Sequence, residues 1–226
     1  GAAASADVNY SGLTAADVNV TNIDNDSAGL MISAVSGNTT EVGGTATFSI
    51  QLMTQPTADV VVSLSSDDLT EGTVNKSSLT FTSANWNTPQ IVTATGVNDF
   101  IDDSNIEYHI VTNPITSADG AFNGFNPSDV TITNIDNDAA GITVSAISGS
   151  TSEAGGTATF TVVLQSQPTS NVAIAIVSDD TTEGTVNPPG LIFTPADWNI
   201  AQLVTVTGID DVIDDSDVTY HIVIAA

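Results

Sequence analysis

Carboxylates supply most of the chemistry available to this chain, and they are grouped along the sequence. The 226 residues include 27 Asp and Glu, one base (Lys76), two His and no Cys. The acids cluster at Glu41, 67–71, 99–107, 136–138, Glu153, 179–183 and 210–217. Two like charges about 4 Å apart repel by about 4 kcal/mol at an effective dielectric constant of about 20. Clusters that folding brings together therefore need a compensating partner, and bound cations are a simpler one than several protons.

Oxygen ligands in this number favour Ca²⁺, which binds about six to eight oxygens. Zinc would prefer His and Cys, and magnesium tends to keep its waters. An EF-hand is not present, because the loop that begins at Asp24 has Val35 at the twelfth position, where an EF-hand has Glu. The alternative interpretation is that these acids are solvated loop residues that keep the protein soluble.

Composition excludes several classes of function. A net charge of −26 with no Arg leaves nothing to neutralise phosphates, which excludes a nucleic-acid partner. No apolar run approaches the roughly 20 residues of a membrane helix, so membrane insertion is not expected. Neither His109 nor His221 lies in a loop motif with a nucleophile, so an enzyme is not expected either.

An internal repeat of 112 residues sets the positions of the acids. Ser36–Phe48 (SGNTTEVGGTATF) recurs as Ser148–Phe160 (SGSTSEAGGTATF), and Ser5–Asp26 matches Ser117–Asp138, both ending in TNIDND. The repeat predicts three segments: residues 1–26 as the terminal strand segment of a preceding or partner repeat, 27–138 as a complete repeat, and 139–226 as a second repeat that lacks its last strand.

Hydrophobic alternation predicts β-strands in each repeat. Ala46, Phe48, Ile50 and Leu52 fall on one face of 45–52, with Thr, Ser and Gln on the other. Further strands are predicted at 59–65, 77–82, 90–97, 106–112 and 129–135, with counterparts 112 residues later. About seven short strands per repeat indicate an all-β fold of tandem antiparallel sandwiches, in which alternate loops meet at one end. Several acidic clusters are therefore expected to converge.

Five landmarks in order resemble the Calx-β repeats found in arrays in large bacterial surface proteins. They are the SEAGGTATF strand, the SDDTTEGTV turn, the FTPADWN segment, the acidic VNDFIDDSNIEYHI loop and the closing NIDND. The resemblance implies an immunoglobulin-like sandwich with Ca²⁺ at one end. In the complete repeat it implies the ligands Glu41, Asp67 or Asp68, Asp99, Asp102, Asp103, Asp136 and Asp138. In the second repeat it implies Glu153, Asp179 or Asp180, Asp211, Asp214 and Asp215, with Asp24 and Asp26 supplied by another segment.

The sequence thus predicts a calcium-binding structural repeat of an extracellular or cell-surface protein, bacterial in type. Calcium at the joints between repeats would stiffen a stalk, an adhesin spacer or a filament subunit. The expected partners are neighbouring repeats or identical subunits arranged head to tail. Residues 1–26 of one molecule could complete the second repeat of another, or the chain could be a window on a longer covalent array.

The alternative is an adhesion module that binds glycans or protein ligands at a surface. Trp86 and Trp198 recur in the segments ANWN and ADWN, where each could stack on a sugar ring. A tryptophan that occurs once per sandwich is more often a packing residue of the core or its edge.

Overall fold

The structure, a computed structural model, describes residues 1–214 and 216–225. All regular secondary structure in this part of the chain is β, which confirms the predicted all-β class. None of the described residues forms a helix long and apolar enough to cross a membrane. The strands divide into two sandwiches that follow each other along the chain.

The first sandwich has ten strands, some very short. They are β1 (Leu30–Ile32), β2 (Thr39–Thr40), β3 (Thr45–Leu52), β4 (Val60–Ser66), β5 (Gly72–Val74), β6 (Ser78–Phe81), β7 (Gln90–Gly96), β8 (Ile106–Thr112), β9 (Thr116–Ser117) and β10 (Val130–Ile135). One sheet has the order β1-β3-β7-β5, and the facing sheet has the order β2-β10-β8-β4-β6, with β9 beside β4.

Alternation along the strands builds the core between these sheets. In β3 the side chains of Ala46, Phe48, Ile50 and Leu52 are buried, because every second residue faces the opposite sheet. Strand β8 contributes Tyr108 and Ile110 in the same way. The polar Thr and Ser side chains between them face outward, so the predicted period of two describes both faces correctly.

Strand β10 closes the second sheet and joins two parts of the repeat that are far apart in sequence. It pairs antiparallel with β8, with Ile132 opposite Tyr108. On its other side it pairs parallel with β2, with Ile135 opposite Thr40. Val130 and Ile132 are buried in the core. The last strand of the repeat therefore completes the core and also fixes the short strand near the start of the repeat.

The second sandwich has seven strands among the described residues. They are β11 (Ile142–Val144), β12 (Thr157–Leu164), β13 (Val172–Ser178), β14 (Gly184–Asn187), β15 (Gly190–Phe193), β16 (Gln202–Gly208) and β17 (Ile222–Ala225). The sheets have the orders β11-β12-β16-β14 and β15-β13-β17. A strand was predicted from residue 218, but pairing starts only at Ile222. No strand equivalent to β10 lies beside this segment in the described chain, which explains the late start.

Residues 1–29 form no strand, and several of their apolar side chains are exposed. Val18, Val20 and Ile23 are each at least 85% exposed. These residues match Val130, Ile132 and Ile135 of β10 at the 112-residue offset. The same sequence pattern therefore lies in a core at one position and in solvent at the other.

Gly72 offers a test of how closely the two sheets approach. A Cβ at this position would lie within about 2.2–2.4 Å of the ring of Tyr108, which is itself buried. Gly72→Ala is expected to destabilise the first sandwich by about 1–3 kcal/mol, because overpacking forces the ring to move. Denaturant unfolding would measure the loss. Gly120→Ala is the matched control, since no atom lies within 4 Å of its added Cβ, and an equal loss in both variants would contradict the explanation.

Candidate metal centre

Four chain segments bring acidic residues to one end of the first sandwich. The end of β7 lies beside the start of β3 and of β5, with Gly96 opposite Gly72. The end of β10 lies beside β2. Consequently four segments meet there: the turn after β2, the turn before β5, the loop 97–105 after β7 and the segment 136–138 after β10. The acids follow from this strand order, because each lies just beyond a strand end.

The first carboxylate group consists of Glu41, Asp136 and Asp138. One oxygen from each of these residues lies within 4.8 Å of the other two. Glu41 is only 3% exposed. Its Oε2 accepts hydrogen bonds from the backbone and side-chain nitrogens of Asn137, both at 3.1 Å. Burial, together with the charges of Asp136, Asp99 and Asp138, raises the pKa of Glu41 despite these donors.

The second carboxylate group consists of Glu71, Asp99 and Asp103, again with one oxygen from each within 4.8 Å of the others. Glu71 is 5% exposed, and its Oε2 accepts a 3.3 Å hydrogen bond from Nδ2 of Asn134 in β10. Burial raises the pKa of Glu71, and the charges of Asp103, Asp68 and Asp99 add to the effect. The pKa of Asp103 is raised for the same reasons, with burial as the largest cause.

No positive side chain reaches these six acids. Lys76 donates its Nζ hydrogen to the carbonyl of Ile91 at 2.8 Å. His109 is paired with Asp67 and lies 3.9 Å from Glu107, and His221 is paired with Asp179. Within residues 1–214 and 216–225, the groups that offset the repulsion are therefore backbone N–H groups and the amides of Asn134 and Asn137.

Three buried oxygens at this end lack any hydrogen-bond partner: Oδ1 of Asp103, Oδ2 of Asp138 and Oδ1 of Asn134. A buried acceptor without a partner is costly, and most are satisfied in folded proteins. The pKa of Asp138 is also raised, first by burial and then by Asp136 and its neighbours. Carboxylate and amide oxygens with free lone pairs are the donors that a hard cation prefers, and Ca²⁺ fits this set.

Three of the ligands implied by the resemblance lie outside both carboxylate groups. Asp67 accepts hydrogen bonds from the backbone N–H of His109 at 2.7 Å, and its Oδ2 lies 2.9 Å from Nδ1 of the same residue. Asp68 accepts from the backbone and hydroxyl of Thr70. Because these donors stabilise the charged form, the pKa values of Asp67 and Asp68 are lowered. Asp102 accepts a 2.7 Å hydrogen bond from the backbone of Ala140.

Glu71 is the residue of the site that the resemblance did not supply. The sequence places it in the same acidic cluster as Asp67 and Asp68, three or four residues later. The signal that could have found it is its position directly before strand β5, because the strand end faces the other acidic loops. Gly72, which follows it, packs against Tyr108 and so fixes the direction of the turn.

The acids of the second sandwich form no comparable group of three within residues 1–214 and 216–225. Glu153 is exposed, whereas its counterpart Glu41 is buried. Asp179 accepts a hydrogen bond from the backbone N–H of His221, and Asp180 accepts one from the backbone N–H of Thr182. Asp211 accepts from the backbone of Ile213, and Asp214 is exposed. Asp215 lies outside the described residues, and the exposed Asp24 accepts only from the backbone of Asp26 in this region.

The loop 97–105 also forms the contact between the two sandwiches. Asp102 bonds to Ala140 in the linker, as described above. The carbonyl of Phe100 accepts a 2.6 Å hydrogen bond from the backbone of Gln167, and the ring of Phe100 lies 5.9 Å from that of Trp198. The loop that carries Asp99 and Asp103 therefore also contacts the second sandwich.

Both tryptophans take part in packing. Trp86 is half-buried against the first core, and Trp198 is half-buried against the second. The backbone carbonyls of Trp86 and Trp198 accept hydrogen bonds from Leu52 and Leu164 at the ends of β3 and β12. This arrangement agrees with the packing interpretation and offers no specific support for a sugar platform.

Comparisons with known proteins leave the family open. No family model matches the chain, and no curated protein matches it. Among solved structures, CBD12 from CALX1.2 is 15% identical with a TM-score of 0.36, over 84% of this chain and 76% of that one. The calcium-binding domain CBD12 of CALX1.1 is 15% identical with a TM-score of 0.36, over 78% and 74%. The YadV chaperone is 10% identical with a TM-score of 0.36, over 82% and 88%. Likeness at this level carries no argument about function.

The raised pKa values predict how stability depends on pH when divalent ions are removed. A carboxyl whose folded pKa lies above its unfolded value binds a proton more readily in the folded state. The free energy of unfolding in chelator should therefore rise as the pH falls from 7 towards the ordinary carboxyl range of about 4. Below that range Asp67 and Asp179, whose pKa values are lowered, lose their stabilising charge, and stability should fall again.

Unfolding in chelator at a series of pH values would measure this profile. Glu41→Gln should reduce the rise, because it removes a buried charge from the first group. Glu153→Gln alters the exposed counterpart and serves as the control. A rise that is equally steep in Glu41→Gln and in the unaltered chain would contradict the assignment of the effect to this site.

Proposed function

We propose that this chain is a calcium-binding structural segment of an extracellular surface protein, in which the ions stiffen the joints between successive β-sandwiches. The observation that carries the proposal is the convergence of six carboxylates with no cation among them and with unpaired oxygens on Asp103 and Asp138. Protonating several acids at neutral pH would need pKa values raised far above the ordinary carboxyl range of about 4, whereas Ca²⁺ binds the ionised carboxylates directly.

The first carboxylate group would hold one Ca²⁺ through Glu41, Asp136 and Asp138, and the second would hold another through Glu71, Asp99 and Asp103. Asp99 connects the two groups, since its charge raises the pKa of Glu41 as well as those of Glu71 and Asp103. Three carboxylates leave room for water and carbonyl oxygens in a shell of about six to eight ligands. Bound calcium supplies the positive charge that the sequence lacks.

Stiffening of the joint would follow from the position of the loop 97–105. Asp99 and Asp103 in this loop would bind the ion, while Phe100 contacts Trp198 of the second sandwich and Asp102 contacts Ala140 in the linker. Asp136 and Asp138 come directly before the linker to β11 (Ile142–Val144). Fixing these residues around an ion would therefore restrict the linker from both sides.

A structural role outside the cell agrees with the rest of the chain. The 112-residue repeat, the net charge of −26 and the resemblance to Calx-β arrays of bacterial surface proteins all favour a spacer, an adhesin stalk or a filament subunit. The partners would be neighbouring repeats or identical subunits, joined head to tail. The sequence places neither His109 nor His221 in a loop motif with a nucleophile, so a catalytic task is not part of this proposal.

Calcium binding is expected to be measurable directly. Calorimetric titration should show binding by the unaltered chain, and Ca²⁺ at about 100 times Kd should add about 2.7 kcal/mol to the stability of the first sandwich for each site. Glu41→Gln and Glu71→Gln should each weaken binding by about tenfold or more, because affinity depends on the number of charged ligands. Glu153→Gln should leave these sites unchanged. Absence of heat and of any thermal shift at millimolar Ca²⁺ would contradict the proposal.

The joint can be tested with spin labels, since the chain has no cysteine of its own. Ser63 and Ala175 are exposed and occupy equivalent positions in the two sandwiches. The substitutions Ser63→Cys and Ala175→Cys would provide the two labelling sites. The distribution of label-to-label distances should be narrower with Ca²⁺ than with chelator. Asp99→Asn should widen it again, whereas Asp59→Asn, an exposed acid at the opposite end of β4 (Val60–Ser66), should not. Equal widths with calcium and with chelator would show that the ion does not stiffen the joint.

A further inference from the structure

The second sandwich has an open groove where the first has its closing strand. The groove has a volume of about 1030 Å³, and Phe160, Val206, Tyr220, Ile222 and Ile224 contribute to its lining. In the described chain β17 (Ile222–Ala225) pairs only with β13 (Val172–Ser178). Tyr220 is half-buried, whereas its counterpart Tyr108, which β10 (Val130–Ile135) covers, is 1% exposed.

Residues 1–26 have the same sequence pattern as the segment that closes this groove in the first sandwich. Val18, Val20, Asn22 and Ile23 correspond to Val130, Ile132, Asn134 and Ile135 at the 112-residue offset. In the first sandwich Val130, Ile132 and Asn134 are buried. Val18, Val20 and Ile23 are at least 85% exposed, so the segment presents apolar side chains that nothing covers in the single chain.

The turns on either side of the exposed segment 18–23 already have the conformation of their counterparts beside β10 (Val130–Ile135). Ala3 and Leu13 are joined by a backbone hydrogen bond of 2.7 Å, as Ile115 and Phe125 are at 2.9 Å. Gly12 donates to Ala3, as Gly124 donates to Ile115, and both glycines have positive φ, at 86° and 79°.

The other end of the segment repeats the same correspondence. Asp26 donates to Oδ1 of Asp24, as Asp138 donates to Oδ1 of Asp136. A segment that is ordered before it binds loses less conformational entropy on docking. Only residues 18–23 between the two turns therefore have to become a strand on docking.

We propose that Val18–Ile23 of one molecule docks as an additional strand into the groove of the second sandwich of another molecule, antiparallel to β17. The register follows from the first sandwich, where Thr131 lies opposite His109 and Ile132 opposite Tyr108. It places Asn19 opposite His221 and Val20 opposite Tyr220. Main-chain hydrogen bonds to the open edge supply the attraction, and the apolar side chains enter the groove.

The order of the segments along the chain indicates which sandwich the exposed segment would close. Asp138 ends the closing segment of the first sandwich four residues before β11 (Ile142–Val144), and Asp26 lies four residues before β1 (Leu30–Ile32). The segment 18–26 therefore serves a sandwich on the amino-terminal side of the first one. The second sandwich of the same chain follows the first one along the sequence, so we assign the acceptor groove to a second copy of the chain. Repetition of this head-to-tail contact gives an open filament.

The inference deepens the proposed structural role, on which it rests, by naming the partner. Docking would also place Asp24 and Asp26 near Glu153, as Asp136 and Asp138 lie near Glu41. A calcium site at the second sandwich would then contain residues from two molecules. Neither the main-chain hydrogen bonds nor the apolar contacts of the docked strand need an ion, so docking is expected in chelator as well as in calcium.

Disulfide trapping tests the contact, because the natural chain has no cysteine. Asn19→Cys combined with His221→Cys places two exposed positions opposite each other in the expected register. Oxidation of the full chain should give a ladder of covalent dimers and longer species, both in chelator and in calcium. Asn9→Cys combined with His221→Cys is the matched control, since Asn9 corresponds to the exposed Ala121 outside the strand. This control should stay largely monomeric.

Val20→Asp in the same double-cysteine background should reduce the covalent dimer by about tenfold, because it places a charge in the apolar groove. Val8→Asp changes an equally exposed residue whose counterpart, Gly120, is also exposed, and should have no effect. Monomers alone, or monomers with an internal disulfide, would overturn the inference. Ladders in chelator with no binding of Ca²⁺ would support the docking and count against the calcium proposal.

Discussion

Repulsion among six carboxylates at one end of the first sandwich is the constraint on which the site depends. Glu41 and Glu71 are buried deeply enough for their pKa values to rise, and the hydrogen bonds to their carboxylates come from the amides of Asn134 and Asn137 and from a backbone N–H group. The fold tolerates this arrangement because the acids lie on turns anchored by strands whose core is mainly apolar. The unfavourable charge is thus placed where a cation can reach it, at the rim of a rigid scaffold.

Strand β10 (Val130–Ile135) connects the apolar core to this charged rim. Its buried residues cover Tyr108 and Ile110, while Asn134 reaches Glu71 and the following aspartates reach Glu41. The second sandwich shows what the strand contributes. Without an equivalent among the described residues, Tyr220 is partly uncovered and Glu153 is exposed. The same strand therefore closes the core and completes the acidic site.

Most of the strand framework could be predicted from sequence, because alternation with period two determines which face is buried. The segments 45–52, 90–97 and 106–112 agree with β3, β7 and β8 within a residue or so. The 112-residue repeat also predicted the order of the strands in the second sandwich from their counterparts in the first. The very short β2 (Thr39–Thr40) and β9 (Thr116–Ser117) carry too few residues for a pattern.

The details of the acidic site were harder to predict. The choice among Asp67, Asp68 and Glu71 depends on the direction of a single turn. Local pattern does not encode that direction, whereas the contact between Gly72 and Tyr108 fixes it. The contact of Phe100 with Trp198 depends on how two sandwiches dock, which periodicity does not reveal.

The parallel pairing of β2 (Thr39–Thr40) with β10 has a mechanical consequence. These strands lie near opposite termini of the repeat and run in the same direction, with Asn134 opposite Thr39. Tension applied through the two ends of the repeat pulls such strands past each other lengthwise, so their hydrogen bonds share the load instead of breaking one at a time. Resistance to tension is governed by the rate of unfolding. A series of these sandwiches would therefore be suited to bearing strain along its length, with each acidic rim located at the point where the load passes to the next unit.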